Sequence, residues 1–126
     1  MKSLLSTIIL AAAMLSVSAL AQEAKTVDEY CVTVSNVADR SDKLYAGMEA
    51  TIPSFAPEHQ AAARKDVAAL REINKQIRKD ACFAPNLATA VANVKRDTAR
   101  ASALSVASIA RVTHDMAEER RKQAAQ

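Results

Sequence analysis

Two cysteines, Cys31 and Cys82, are the residues of this chain best suited by type and spacing to covalent chemistry. They stand 51 positions apart, without a Cys-x-x-Cys pair or a neighbouring histidine, so their spacing is not that of a redox motif or a zinc site. In an exported protein such a pair is expected to form one structural disulfide, and two free thiols are the alternative. We therefore predict a Cys31–Cys82 disulfide.

The two histidines, His59 and His114, are the other side chains suited to metal or acid–base chemistry. Neither belongs to a His-x-x-x-His or Glu-x-x-His pair that would place two ligands on one helical face. We expect exposed histidines and no metal site. No glycine-rich loop could hold a phosphate, and nothing in the sequence marks one serine as a nucleophile. We therefore predict no cofactor and no enzymatic activity, with a small, weakly active enzyme as a third alternative.

The composition indicates a helical protein with a thin core. One Gly and three Pro occur among 126 residues, and Ala is abundant, which favours helix because Ala loses no side-chain entropy there. Only four residues are aromatic, so little large apolar surface is available for burial. One small domain is expected.

Residues 1–21 have the layout of a secretory signal peptide. Lys2 provides the positive start, an apolar stretch follows from Leu4 to Leu20, and a small-x-small cleavage site precedes Gln22. An uncleaved membrane anchor is the alternative, although the stretch is shorter than the roughly 20 residues of a typical span. We predict a periplasmic or secreted domain over residues 22–126, with no stable membrane span after cleavage. The formal charge of +3 falls to +2 without Lys2, which is not a nucleic-acid-binding balance.

Helix boundaries are marked by capping residues and prolines. Thr26 and Glu29 form a capping box, and apolar residues then recur at helical spacing until Pro53, which predicts helix 1 over about residues 27–52. Pro57 suits a first helical position, and the apolar stripe that follows predicts helix 2 over about 57–81. The remaining chain predicts a long helix 3 over about 86–122.

The cysteine positions suggest how the first two helices meet. Helix 1 rises roughly 33 Å after Cys31, and helix 2 returns roughly 37 Å to Cys82, so both cysteines come to the same level of an antiparallel pair. The predicted fold class is all-α: an antiparallel helical hairpin closed by one disulfide, plus a long third helix, in a small three-helix bundle. Phe83, directly after Cys82, is expected to close the end of the core beside the disulfide.

The middle of helix 3 presents small residues on the face that should be apolar. We expect this face to pack tightly on the hairpin, because small side chains let helices approach closely. Self-association or partner binding through the same face is the alternative. The residues concerned are Thr98, Ala101, Ser105 and Ser108.

Helix 2 carries the largest charge feature of the chain on its outer side. Such residues are usually only solvated, and as an interaction face they would attract an acidic partner or an anionic envelope polymer. The candidate basic face consists of Arg64, Lys65, Arg71, Lys75, Arg78 and Lys79.

The layout resembles two families of small exported helical proteins that have one long-range disulfide. The signal peptide, Cys31 near the start of the first mature helix and Cys82 after the second are similar to the acid-activated periplasmic chaperones and to the spackle type of phage lysozyme inhibitor. Pro57 and Glu58, which open the middle helix, also resemble the spackle layout. The long helix 3 departs from both families, and the basic pI departs from the acidic chaperones.

These similarities imply a binding protein of the cell envelope and carry over no functional residue. We predict a small exported interaction protein without catalytic activity that binds a protein partner in the envelope. An inhibitor or immunity-type binder of an envelope-acting protein is the first hypothesis. A periplasmic holdase-type stress chaperone is the alternative, since protonation of the carboxylates in acid would leave the chain strongly positive and open a thin core.

Overall fold

A computed structural model describes residues 23–126, and these residues form three helices and no strand. Helix α1 spans Val27–Thr51 and is followed by a short 3-10 turn at Ile52–Ser54. Helix α2 spans Pro57–Cys82, and helix α3 spans Leu87–Ala124. The signal peptide predicted for residues 1–21 lies outside the described residues.

Side-chain caps explain where two of the helices begin. The Thr26 hydroxyl accepts a hydrogen bond from the Glu29 amide at 3.1 Å, and the Glu29 carboxylate accepts one from the Lys25 amide at 2.8 Å. The Asn86 side chain accepts from the Thr89 amide at 2.8 Å at the start of α3. Each bond satisfies a backbone N–H that lacks a partner inside the helix. Helix α2 begins at Pro57, whose missing N–H is not needed at that position.

Helix α2 lies between the other two helices. Its residues meet α1 in reverse order, because Cys82 bonds to Cys31 whereas Arg71 pairs with Glu49 at 3.1 Å. It also packs along α3, while α1 and α3 touch each other at only a few positions. Among the described residues, each side-chain hydrogen bond or ion pair between two helices therefore includes a residue of α2.

The core consists of the apolar stripes that the helical periodicity predicts. On α2 all six stripe positions are buried, and on α1 the two tyrosines supply the aromatic volume. No phenylalanine belongs to the fully buried set among residues 23–126. The buried apolar residues of α2 are Ala63, Val67, Leu70, Ile73, Ile77 and Ala81.

The small-residue face of α3 is part of this core. Thr98, Ala101, Ser105 and Ser108 are all buried within the chain, as close helix packing requires. These four side chains are therefore covered by the chain itself, whereas self-association or partner binding through exposed residues of the same small-residue part, such as Ala103 and Ala107, stays a prediction. None of the helices formed by residues 23–126 contains an apolar segment that could span a membrane.

The expectation for Phe83 is also wrong, since its side chain is 84% exposed. Cys82 faces α1 in order to form the disulfide, and successive residues of a helix point about 100° apart. The residue after Cys82 is therefore directed away from the core. Its backbone still belongs to the end of α2, because the Phe83 amide donates to the Lys79 carbonyl at 2.9 Å.

Candidate functional site

An exposed apolar pair flanks the disulfide bond. The sulfur atoms of Cys31 and Cys82 are 2.00 Å apart, and their Cα atoms are 4.6 Å apart. Val32 and Phe83 directly follow these cysteines and are 61% and 84% exposed. Since adjacent Cα atoms are about 3.8 Å apart, the Cα atoms of Val32 and Phe83 lie within about 12 Å of each other. We call these two residues, with the disulfide between them, the disulfide-end patch.

The disulfide-end patch stands on two helix ends that are tied together. The bond joins the first turns of α1 to the last turn of α2, and the Ser35 hydroxyl lies near both sulfur atoms, 4.0 Å from that of Cys31 and 3.7 Å from that of Cys82. Val32 lies within α1, and Phe83 directly follows the last helical residue of α2, so helical backbone and a covalent link hold the Cα atoms that carry the exposed side chains. A rigid apolar surface of this kind loses little entropy on binding.

The six basic residues predicted as one interaction face have different surroundings. Arg78 contacts the carboxylates of Asp39 and Asp42, the second at 2.7 Å, and Arg71 contacts Glu49. These two arginines therefore connect α2 to α1. Burial lowers the pKa of Arg78, but hydrogen bonds to Asp42 and Asp39 outweigh it and leave the pKa raised, so the charge is permanent.

The other four basic residues remain on the surface of α2. Arg64 donates to Gln60 at 3.1 Å, and Lys75 lies 3.9 Å from Glu72, one turn away on the same helix. Lys65 and Lys79 are not buried and have no carboxylate within 4.0 Å among the described residues. Lys79 is one helical turn before Phe83, which places an uncompensated cation beside the disulfide-end patch.

Both histidines converge on one carboxylate at the opposite end of the protein. His59 of α2 places Nδ1 3.3 Å from Asp115 Oδ2, and His114 places Nδ1 3.5 Å from Asp115 Oδ1. His114 also lies 3.8 Å from Glu118, and ligand atoms of His114, Asp115 and Glu118 lie within 4.8 Å of one another. No spacing in the sequence indicates this cluster, because His59 and His114 come together only through the packing of α2 on α3.

These are residue types that bind Zn²⁺, yet their proximity has a simpler origin. His114, Asp115 and Glu118 occupy positions of one helical turn, where side chains are neighbours without any ion. His114 is largely exposed, whereas His59 is half-buried, contrary to the expectation that both are exposed. The cluster therefore carries no metal assignment.

A pair of carboxyl groups, Asp80 of α2 and Asp97 of α3, lies between these two helices. Asp97 is fully buried, Asp80 is 11% exposed, and the Oδ2 atom of each has no hydrogen-bond donor in the described part of the chain. Burial and a hydrogen bond to Asp97 raise the pKa of Asp80, while Gln76 and Arg96 oppose the rise. Arg96 and Arg100 lie 3.4 and 3.3 Å from Asp97, so two cations face this carboxyl group. A proton on Asp80 would supply the missing donor.

The two buried tyrosines are not acid–base groups at neutral pH. Burial raises the pKa of Tyr30 to about 12. Burial raises the pKa of Tyr45 still further, and the negative charge of Asp42 adds to the effect. Both phenols stay protonated and serve as core volume.

Comparisons of the chain with protein-family models, with curated proteins and with solved structures found no match.

Proposed function

We propose that this chain is an exported, non-enzymatic binding protein that holds one protein partner in the cell envelope at its disulfide-end patch. In this hypothesis the protein is an inhibitor or immunity-type binder. The observation that carries the proposal is the exposure of Phe83 beside a disulfide that fixes its position.

An exposed phenylalanine in a protein with so few aromatic residues favours a binding role. Only Val32, Phe83 and Val106 are large, apolar and exposed among residues 23–126, and two of these three lie in the disulfide-end patch. Burial of a phenylalanine side chain in a partner stabilises a complex by roughly 1.5 to 3 kcal/mol. Aromatic residues in the centre of an interface commonly supply much of the binding energy.

The neighbouring charge indicates the chemistry of the partner. Lys79 has no carboxylate partner among the described residues and lies one turn from Phe83. A partner that presents an apolar pocket with an acidic rim would match both features, since rim charges contribute mainly to specificity and to the rate of association. In this proposal the disulfide-closed antiparallel hairpin of α1 and α2 is the scaffold that keeps these groups in place.

The test is site-specific photo-crosslinking in the native cell with the full chain. A photoreactive phenylalanine analogue replaces Phe83 in one variant and the exposed Val106 in the control. We expect one discrete covalent adduct from position 83 and none from position 106. Equal adducts from both positions, or none from position 83, would contradict the proposal.

A holdase-type chaperone that opens in acid is the second candidate. It is supported by the ion pairs between helices, because each of them needs a charged carboxylate. Arg71 and Arg78 of α2 form ion pairs with Glu49 and Asp42 of α1. Arg111 of α3 forms an ion pair with Asp66 of α2 at 2.6 Å. Protonation of the carboxylates would remove these links together. An apolar dye should then bind at about pH 2 to 3 while the far-UV circular dichroism remains helical. A protein that stays closed in acid would exclude this candidate.

A further inference from the structure

A cleft of about 460 Å³ lies at the end of the protein opposite to the disulfide-end patch. Phe55 of the turn before α2, Ala63 of α2, and Val112 and Met116 of α3 provide most of its apolar surface. All four side chains are buried or half-buried. The volume lies within the range of roughly 300 to 1,000 Å³ that is typical of small-molecule sites.

The cleft follows from the way the helices pack. The 3-10 turn at Ile52–Ser54 contacts α1 and α2 but not α3. Because α1 and α3 also touch at only a few positions, a space remains between the turn and the last third of α3. His59 and Ala63, from the first two turns of α2, also line this space.

The charged groups of the cleft are mainly negative. Arg111, the arginine that lines it, is already paired with Asp66 at 2.6 Å. Among the described residues, the basic groups within 4.0 Å of the Asp115 carboxylate are the imidazoles of His59 and His114, and no lysine or arginine lies that close. Glu119 lines the cleft and has no cation within 4.0 Å among residues 23–126. Two carboxylates therefore face the cleft without a permanent positive partner.

We infer that this cleft binds a small amphipathic amine, a molecule with an apolar ring or short alkyl body and a protonated nitrogen. The body packs against Phe55, Val112 and Met116, where the flexible Met side chain adapts to its shape. The ammonium group lies at the carboxylates of Asp115 and Glu119. An anionic ligand is disfavoured, because it would meet the same two carboxylates.

The cleft is independent of the function proposed above. Val32 of the disulfide-end patch and Thr51 of the cleft are 19 residues apart along α1, which is roughly 28 Å at 1.5 Å per helical residue. Loss of partner binding at Phe83 would therefore leave the amine site intact, and loss of amine binding would leave the partner site intact.

The test uses three ligands with a phenyl ring on a short alkyl chain and different head groups: 4-phenylbutylamine, 4-phenylbutanol and 4-phenylbutyrate, whose alkyl chain has one methylene group fewer. Their dissociation constants for the oxidised protein are measured by titration of the methyl resonances of Val112 and Met116. We expect the amine to bind roughly five- to tenfold more tightly than the alcohol, because its ammonium group makes one charge-assisted contact that the alcohol lacks. The butyrate should be the weakest of the three.

Two matched carboxylate variants locate the head group. Glu119→Gln should reduce the preference for the amine over the alcohol to about twofold or less. Glu118→Gln, whose side chain is not part of the cleft lining, should leave that preference unchanged. Equal affinities for all three ligands, tighter binding of the butyrate, no binding at about 10 mM, or an unchanged preference in Glu119→Gln would each overturn the inference.

Discussion

Replacement of Asp80 by asparagine should stabilise this protein, although it removes a side chain from an ion-pair network. Asp80 and Asp97 face each other between α2 and α3 in a buried position, and the Oδ2 atom of each lacks a donor within the described structure. At neutral pH an ionised Asp80 would repel Asp97. The side-chain amide introduced by Asp80→Asn would instead donate a hydrogen bond to the Asp97 carboxylate.

The expected gain at about pH 7 to 8 is about 1 to 2 kcal/mol in the free energy of unfolding, at the lower end of the roughly 1.5 to 3 kcal/mol that a hydrogen bond to a charged group contributes. For a domain of this size that corresponds to a rise in Tm of roughly 4 to 10 °C. The gain is limited because Arg96 and Arg100 already compensate part of the negative charge.

The raised pKa of Asp80 determines how the difference in stability between the two proteins changes with pH. The folded protein raises the pKa of Asp80 above its ordinary value of 3.8, so the folded state binds the proton more readily than the unfolded state. The stabilisation from the protonated pair is complete below that value and is lost as the pH rises through the raised pKa. The difference in Tm between Asp80→Asn and the parent should therefore be largest near pH 8 and should shrink towards pH 4.

Thermal denaturation followed by circular dichroism at several pH values is the assay, and Asp97→Asn is the matched control. Asp97→Asn removes the charge that faces both arginines, so it should lower Tm at pH 7. A lower Tm for Asp80→Asn at pH 8, a shift that is the same at pH 4 and pH 8, or an equal rise for both variants would refute the reasoning.

Three further predictions concern stability. Cys82→Ser should lose about 4 kcal/mol, because the disulfide links residues 51 positions apart, and denaturant unfolding that matches the oxidised parent would contradict this. Asn74→Ala should lose roughly 1 to 3 kcal/mol, because Asn74 is fully buried and donates to the Ala38 carbonyl at 3.0 Å and to Asp42 at 2.7 Å; the exposed Lys65→Ala serves as the near-neutral control in the same denaturant titration. Gly47→Ala should gain about 0.5 to 1 kcal/mol in a thermal melt, because Gly47 lies inside α1 and an added Cβ meets nothing within 4 Å; a loss of stability there would show an unrecognised contact.

Periodicity predicts which side of a helix is apolar, but not which polar residues become buried at its margins. Asn74 and Asp97 are fully buried, and the sequence pattern does not distinguish them from solvated neighbours. Their burial depends on the helix packed against them, as the bond from Asn74 to the Ala38 carbonyl of α1 illustrates. Such partners are determined by the register and rotation of two helices, which a single stripe does not specify.

The basic residues of α2 illustrate the same limit for function. In the sequence the six cations form one charged set, whereas in the structure Arg71 and Arg78 pair with carboxylates of α1. Likewise, the convergence of both histidines on Asp115 depends on the packing of α3 against the first turns of α2. A sequence of one helix contains no information about charges on the opposite helix until their relative position is known.

Local chemistry determined the all-helical character, the helix starts at Thr26, Pro57 and Asn86, and the apolar stripe of α2, because caps, prolines and a 3.6-residue period act within one segment. The spacing of the two cysteines also suggested their pairing. Only the tertiary structure decided that Phe83 faces solvent, that Asp80 and Asp97 share a buried site, and that a cleft remains beside α3. Each of these depends on how two helices are rotated against each other, and side-chain exposure is a property of that packing rather than of the chain.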